Sequence, residues 1–255
     1  MKNGVVALHQ VSYEQKAYWR NPLATFFTFV FPPMLLVIFG TLNRDAHSSL
    51  IGFLPFNQYF VPSIVTFGVM SACYVNLAIN VSFRRELGIL KRLRGTPLPP
   101  WAFFVGVIGN VLVLSAMLVA ITIVVGRVLY DVPLPGRIGA FAVTLAVGAF
   151  CFCSIALAAT RLVPNGDAAP AVINGIFFPL VFISGTFFPV PPTSVLSRIA
   201  SFFPVRHFIQ AAFAIYDPRR TSGAPDWKHL LVMAAWGAAA LVVALYTFRW
   251  EPVRH

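Results

Sequence analysis

The chain has 255 residues, of which 58% are hydrophobic and 11% charged, with a formal net charge of +11. At a mean hydropathy of +0.78, it carries too much apolar surface and too little charge for a soluble domain. Its Lys and Arg sit at the ends of apolar runs rather than on a compact polar face, which argues against nucleic acid as a partner and for an all-α integral membrane protein.

Across the arm 1–22, Val5, Leu8, Val11, Tyr18 and Trp19 recur at helical spacing among His9, Gln10, Glu14, Lys16 and Arg20. This pattern predicts an amphipathic helix lying in the membrane interface. Asn21 suits an N-cap and Pro22 a first helical residue for a first span over about 23–42. No short apolar core followed by small residues occupies 1–20, so this span is expected to remain in the mature protein. Pro32 and Pro33 remove two backbone donors within it and predict a bend, as Pro179 does further on.

Further apolar runs near the ~20 residues needed to cross the hydrocarbon core fall at about 58–82, 101–126, 138–160, 168–187 and 229–248. Six spans put both termini on one side of the membrane. Between the second and third lies Phe83–Pro100, which packs Arg84, Arg85, Lys91, Arg92 and Arg94 into a short polar segment with a single acid, Glu86. Clustered Lys and Arg beside spans mark the cytoplasmic side, so the loop sets the orientation and offers a surface to a cytosolic partner or to anionic lipid headgroups. Glu86–Leu93 is long enough for two helical turns, which Gly95 can end and Pro97 prevents from continuing.

Cys73, Cys151 and Cys153 all fall inside predicted spans, and Cys-x-Cys alone lacks the ligand count of a zinc site, so no metal site is expected. After the fifth span, Phe188–Pro225 is too long for a turn and too apolar for a solvated loop. It reads as two short re-entrant or interfacial helices meeting at Pro204, each too short to cross.

Several chemistries lack their residues. GxxxxGK[ST] is absent, so no nucleotide site is expected in the chain itself. No carboxylate lies within a span as ion-coupled carriers require, and neither a catalytic triad nor a paired-carboxylate constellation appears. A non-transporting scaffold that recruits a cytosolic partner remains the competing class.

Certain stretches together resemble the ABC-2 family of transporter permeases, the daunorubicin-resistance type of bacterial exporter subunit above all. They are Arg20-Asn21-Pro22 with Phe31-Pro32-Pro33, Arg85-Glu86-Leu87-Gly88 through Leu93-Arg94-Gly95-Thr96-Pro97-Leu98, Ile183-Ser184-Gly185-Thr186-Phe187-Phe188-Pro189, Phe203-Pro204-Val205-Arg206-His207-Phe208, and Phe248-Arg249-Trp250-Glu251-Pro252. The likeness covers nearly the whole chain, with 1–22 as the connecting helix and 23–255 as the six-helix transmembrane domain.

The resemblance implies a half-transporter in a bacterial plasma membrane, with both termini cytoplasmic. It implies a second copy or a homologous permease, and a separate ABC ATP-binding subunit that holds the ATP and magnesium, since no cofactor is expected on this chain. It makes the loop after the second span a coupling helix, with Arg85, Glu86, Gly88, Arg92, Leu93, Arg94 and Thr96 at the ATPase. Because the family's second and fifth helices line the route, Asn76, Asn80, Asn174, Phe177, Phe178, Ser184 and Thr186 become pathway residues, although helix-to-helix glue explains each polar one equally well. The implied cargo is an amphipathic drug-like or lipid-linked compound moved by alternating access, with a polysaccharide or glycolipid as the alternative.

Overall fold

The computed structural model describes residues 2–44, 46, 53–95, 100–191, 193–220 and 224–248. In chain order these form α1 (Lys2–Trp19), α2 (Pro22–Phe29), α3 (Phe31–Leu42), α4 (Phe56–Met70), a π-helical segment (Ser71–Asn76), α5 (Leu77–Glu86) and α6 (Ile89–Arg94). There follow α7 (Pro100–Tyr130), α8 (Ile138–Ala159) with a 3-10 turn over Thr160–Leu162, α9 (Ala169–Ile183), α10 (Val195–Ala200), α11 (Pro204–Tyr216) and α12 (Trp227–Thr247). The protein is all-α, as its composition predicts.

Among the described residues, five stretches are long and apolar enough to cross a bilayer: Thr25–Leu42, Phe56–Glu86, Trp101–Tyr130, Ile138–Leu162 and Trp227–Thr247. The outermost of them settle the environment. Trp227–Thr247 has a mean hydropathy of 2.1, yet only 22% of it is buried within the protein. A soluble monomer does not expose a continuous apolar surface on this scale, so the chain is a multi-pass membrane protein. The run 168–187 forms α9, a helix of 15 residues and about 22 Å, shorter than a hydrocarbon core of about 30 Å. It stops where Ser184 and Gly185 turn the chain, Gly185 at a φ of +88°.

The bend expected at Pro32 and Pro33 is a break between α2 and α3. Both prolines sit buried in the first turn of α3, where a missing N–H costs nothing, and Met34 N–H reaches back to the Val30 carbonyl at 2.9 Å. Between α9 and α12 the two short helices appear as α10 and α11, with Pro204 opening α11.

The core is organised around α4, which is buried at every position except Gln58 and apolar around its whole circumference, as a central helix must be. Helices α3, α7, α8 and α11 pack around it, α12 lies along α8, and α1 crosses α7. The α1 crossing departs from the expected apolar stripe. Val11 and Tyr18 do turn inward, but Val5, Leu8 and Trp19 are exposed and Glu14 is buried between the inward pair. The reason lies on α7: a Cβ on Gly106 would stand 2.3 Å from Gln10 Cγ, and one on Gly109 2.6 Å from a Val11 methyl. These two glycines let α1 dock by its Gln10–Val11–Glu14–Tyr18 face. A Gly109→Leu variant is therefore expected to free α1 while leaving the spans inserted, measured as new protease sensitivity within 2–19 and no change in membrane yield.

Candidate functional site

Helix α4, the π segment and α5 run without interruption for 31 residues, about 46 Å, so the polar last turn of α5 extends past a hydrocarbon core of about 30 Å. Three consecutive side chains end it, and successive helical residues point about 100° apart. They reach three different elements. Arg84 sets Nη1 and Nη2 2.6 and 2.5 Å from the two carboxylate oxygens of Glu14 on α1, with its guanidinium 5.8 Å from the Phe103 ring centre on α7. Arg85 is buried and donates to the Thr160 carbonyl at 2.9 Å and the Val163 carbonyl at 2.6 Å, at the end of α8 where carbonyls lack intrahelical partners. Glu86 accepts the N–H of Gly166, in the turn that leads into α9. The end of the second span is thus bolted to α1, α8 and the start of α9.

Beyond this junction the chain breaks at Leu87–Gly88. The expected helix over Glu86–Leu93 is instead two pieces, with Glu86 the last residue of α5 and α6 beginning at Ile89. Gly88 supplies the reason: it adopts a φ of +67° and bonds its N–H to the Arg85 carbonyl at 3.1 Å, the left-handed ending that favours glycine. Arg92 then closes over the turn, its Nη2 2.9 Å from the Leu87 carbonyl. Leu90 is fully buried and anchors α6 to the bundle, while Leu87, Lys91 and Arg92 face outward and Leu93 is half-buried. Arg94 ends α6, Gly95 follows as its cap, and Thr96 lies outside the described residues.

Behind the junction is a cavity of about 350 Å³ lined by Glu14, Tyr18, Asn21, Asn76, Asn80, Arg84 and Asn110, among others. Asn76, Asn80 and Arg84 stand at i, i+4 and i+8 on one face of the helix, as the four-residue spacing of the two asparagines requires. The side-chain oxygens of Asn80 and Asn110 are buried without a hydrogen-bond partner, although buried amides are normally satisfied. The chamber thus sets unsatisfied amide oxygens beside a space large enough to hold water.

The other expected pathway residues do not join it. Phe177 is buried and stacks between Phe67 and Tyr74, with centroids 5.9 and 5.8 Å away. Phe178 is 40% exposed on the outer face of α9, and Asn174 is half-buried. Thr186 is fully buried, and Ser184 lines a separate cavity toward the opposite end of the bundle. Sequence reasoning missed Glu14, Tyr18 and Asn110 as members of the inner chamber. A lone acid on the inward face of an otherwise basic arm is the signal that could have found Glu14.

The family model described as ABC-2 type transporter matches residues 9–216. Among curated proteins, the "Probable multidrug ABC transporter permease YbhR" of Escherichia coli strain K12 is 24% identical over 191 residues, covering 73% of this chain and 52% of that protein. Its counterpart of the same name in Escherichia coli O157:H7 matches to the same extent. The chain spans about half the length of the curated relatives it matches.

Proposed function

Because the chain belongs to the ABC-2 type transporter family, we propose that it is the membrane-spanning permease subunit of an ATP-driven exporter, with a separate ATPase docking on α6. The observation that carries this reading is the junction at Arg84, Arg85 and Glu86. A docking helix does mechanical work only if its displacement reaches the spans, and here an exposed basic helix follows directly on three side chains tied to α1, α8 and α9. Arg85 and Glu86, expected from the sequence to meet the ATPase, serve in this reading as the transmission, and Gly88, Lys91, Arg92, Leu93, Arg94 and the adjoining Thr96 as the contact. ATP and magnesium belong to the partner, whose hydrolysis drives the cycle. The five basic residues of 83–100 support an orientation with α6 and both termini in the cytosol.

The cargo reading is an amphipathic molecule, drug-like or lipid-linked, moved by alternating access. It is supported by the multidrug naming of the curated relatives and by the polar chamber around Asn76 and Asn80, which opens beside apolar helices and suits a molecule with one polar end. The exposed Phe178 and Phe182, at i and i+4 on one face of α9, form an apolar strip that a second copy, or a homologous permease, would cover to complete the route.

Charge reversal at Lys91 and Arg92 tests the docking. The double variant Lys91→Glu, Arg92→Glu is expected to insert normally but retain a P-loop ATPase at least about tenfold less well during purification, the loss of roughly 1.4 kcal/mol or more. Full retention with unaltered ATP-dependent transport would refute the assignment. Asn80→Leu is expected to raise the transport KM several-fold with little change in thermal stability, since it fills the chamber without breaking a bond. An unchanged KM with fast turnover would make the chamber a water-filled void rather than part of the route.

A further inference from the structure

At the end of the bundle opposite α6, the face of α11 that carries Arg206, Gln210 and Asp217 borders a cavity of about 290 Å³, lined on its other sides by Tyr59 of α4, Ser184 and the start of α12 at His229. Arg206 is 8% exposed, and among the described residues it has neither a hydrogen-bond nor an ion-pair partner. A guanidinium cannot shed its charge by losing a proton, so Arg206 meets the cavity as a cation with no counter-charge from the described residues.

The neighbouring groups supply Arg206 with no counter-charge. The Ser184 hydroxyl is buried without a partner, and the Gln210 amide has none among the described residues. Tyr59 has already committed its hydroxyl proton to the Gly185 carbonyl. The two carboxylates nearby cannot serve Arg206, because each has an arginine of its own. Asp217 is gripped by Arg219 through Nε and Nη2, both at 2.8 Å, which holds its carboxyl below the usual range. Asp226 takes Arg220 at 2.8 Å. His229 faces His207, Nδ1 to Nδ1 at 2.7 Å, and its Nε2 stands 3.8 Å from Asp226. A cation, a hydroxyl and an amide are therefore left as unspent donors around one space.

We propose that this cavity is an oxyanion site of the phosphate class, with the Arg206 fork as the principal ligand and Ser184 and Gln210 as supporting donors. The fork matches two oxygens of a phosphate or carboxylate. Donors arriving from two elements, α11 and the turn after α9, fit a tetrahedral group better than a planar one. The room for roughly ten waters admits a phosphate with its substituent. The same chemistry is offered by an anionic lipid headgroup and by a free phosphate. This assignment goes beyond the transport reading and does not need the ATPase.

The test is thermal unfolding of the full chain in non-ionic detergent. Inorganic phosphate is titrated against chloride at matched ionic strength, and in a second arm phosphatidylglycerol is added against phosphatidylcholine. The expected result is a ligand-dependent rise in the unfolding midpoint. A rise with phosphatidylglycerol alone identifies a headgroup as the source, and a rise with both identifies a free oxyanion as sufficient. Arg206→Met is expected to weaken the apparent affinity at least tenfold while the ligand-free variant is no less stable than the parent, because the substitution removes an uncompensated charge. Ser184→Ala, which keeps that charge, is expected to weaken it about threefold and guards against misfolding of the first variant. No rise in either arm, or a rise that survives both substitutions, overturns the proposal.

Discussion

Replacing Glu14 by alanine is expected to lower the stability of the folded protein by about 3–5 kcal/mol, the cost of leaving one member of a buried ion pair alone. Glu14 is 2% exposed, and the Arg84 side chain opposite it 17%, so bulk solvent reaches the pair little and only the chamber they line can screen the survivor. Both carboxylate oxygens are engaged, at 2.6 and 2.5 Å, the bidentate geometry in which such pairs are strongest. The same physics predicts a rescue: the double variant Glu14→Leu, Arg84→Met removes both charges together and should recover most of the loss. A denaturant titration of the parent, Glu14→Leu, Arg84→Met and the double variant in mixed micelles forms a double-mutant cycle. Coupling within about 0.5 kcal/mol of zero would show that α1 is not held by this pair. Transport should follow stability in the single variant, because α1 closes one wall of the inner chamber.

The second large effect is expected at Arg85. Its guanidinium makes two charge-assisted bonds, to the Thr160 and Val163 carbonyls, each worth roughly 1.5–3 kcal/mol, and its charge also favours the negative end of the α8 dipole. Arg85→Met keeps the bulk but strands the Val163 carbonyl and leaves the Thr160 carbonyl only the Val163 N–H at 3.3 Å, on residues that are 1% and 2% exposed. We expect a loss of about 3 kcal/mol or more, together with loss of ATP-dependent transport even where the ATPase still binds. Arg85→Lys should fall between the two, since one ammonium cannot reproduce a fork aimed at two acceptors. Retained transport in Arg85→Met at full expression would sink the role given to this residue as the tie between α5 and α8.

How far these features can be read from the sequence follows from the range of the forces involved. A span is legible because about 20 apolar residues in a row leave few alternatives, and the ends of α7, α8 and α12 fall within a few residues of the apolar runs. The break after Glu86 was not legible, because Gly88 and Gly95 are both able to end a helix and only the packing of Leu90 selects which part of the loop turns inward. Asn76 and Asn80 share one chamber because their spacing is local. Asn174, Ser184 and Thr186 scatter because the turn at Gly185 redirects the chain between them. The three-way junction is the plainest case. Arg84, Arg85 and Glu86 look alike as a run of charge, and their separate duties depend on partners 70, 75 and 80 positions away. Glu14 likewise gives no local sign of the arginine that neutralises it.

The π-helical segment Ser71–Asn76 lies between the buried α4 and the last turn of α5. A π turn holds one residue more than an α turn, so it acts as a phase shifter: it sets the angular position of everything after residue 76 relative to everything before residue 71. Straightening it into an α turn would swing Arg84, Arg85 and Glu86 together through about 100°, carrying each away from its own receptor while α4 stayed still. Deleting a single residue within 71–76 should therefore let the segment close into an α turn with both ends still in phase, whereas any change that straightens it at constant length takes the two ends of the helix out of step.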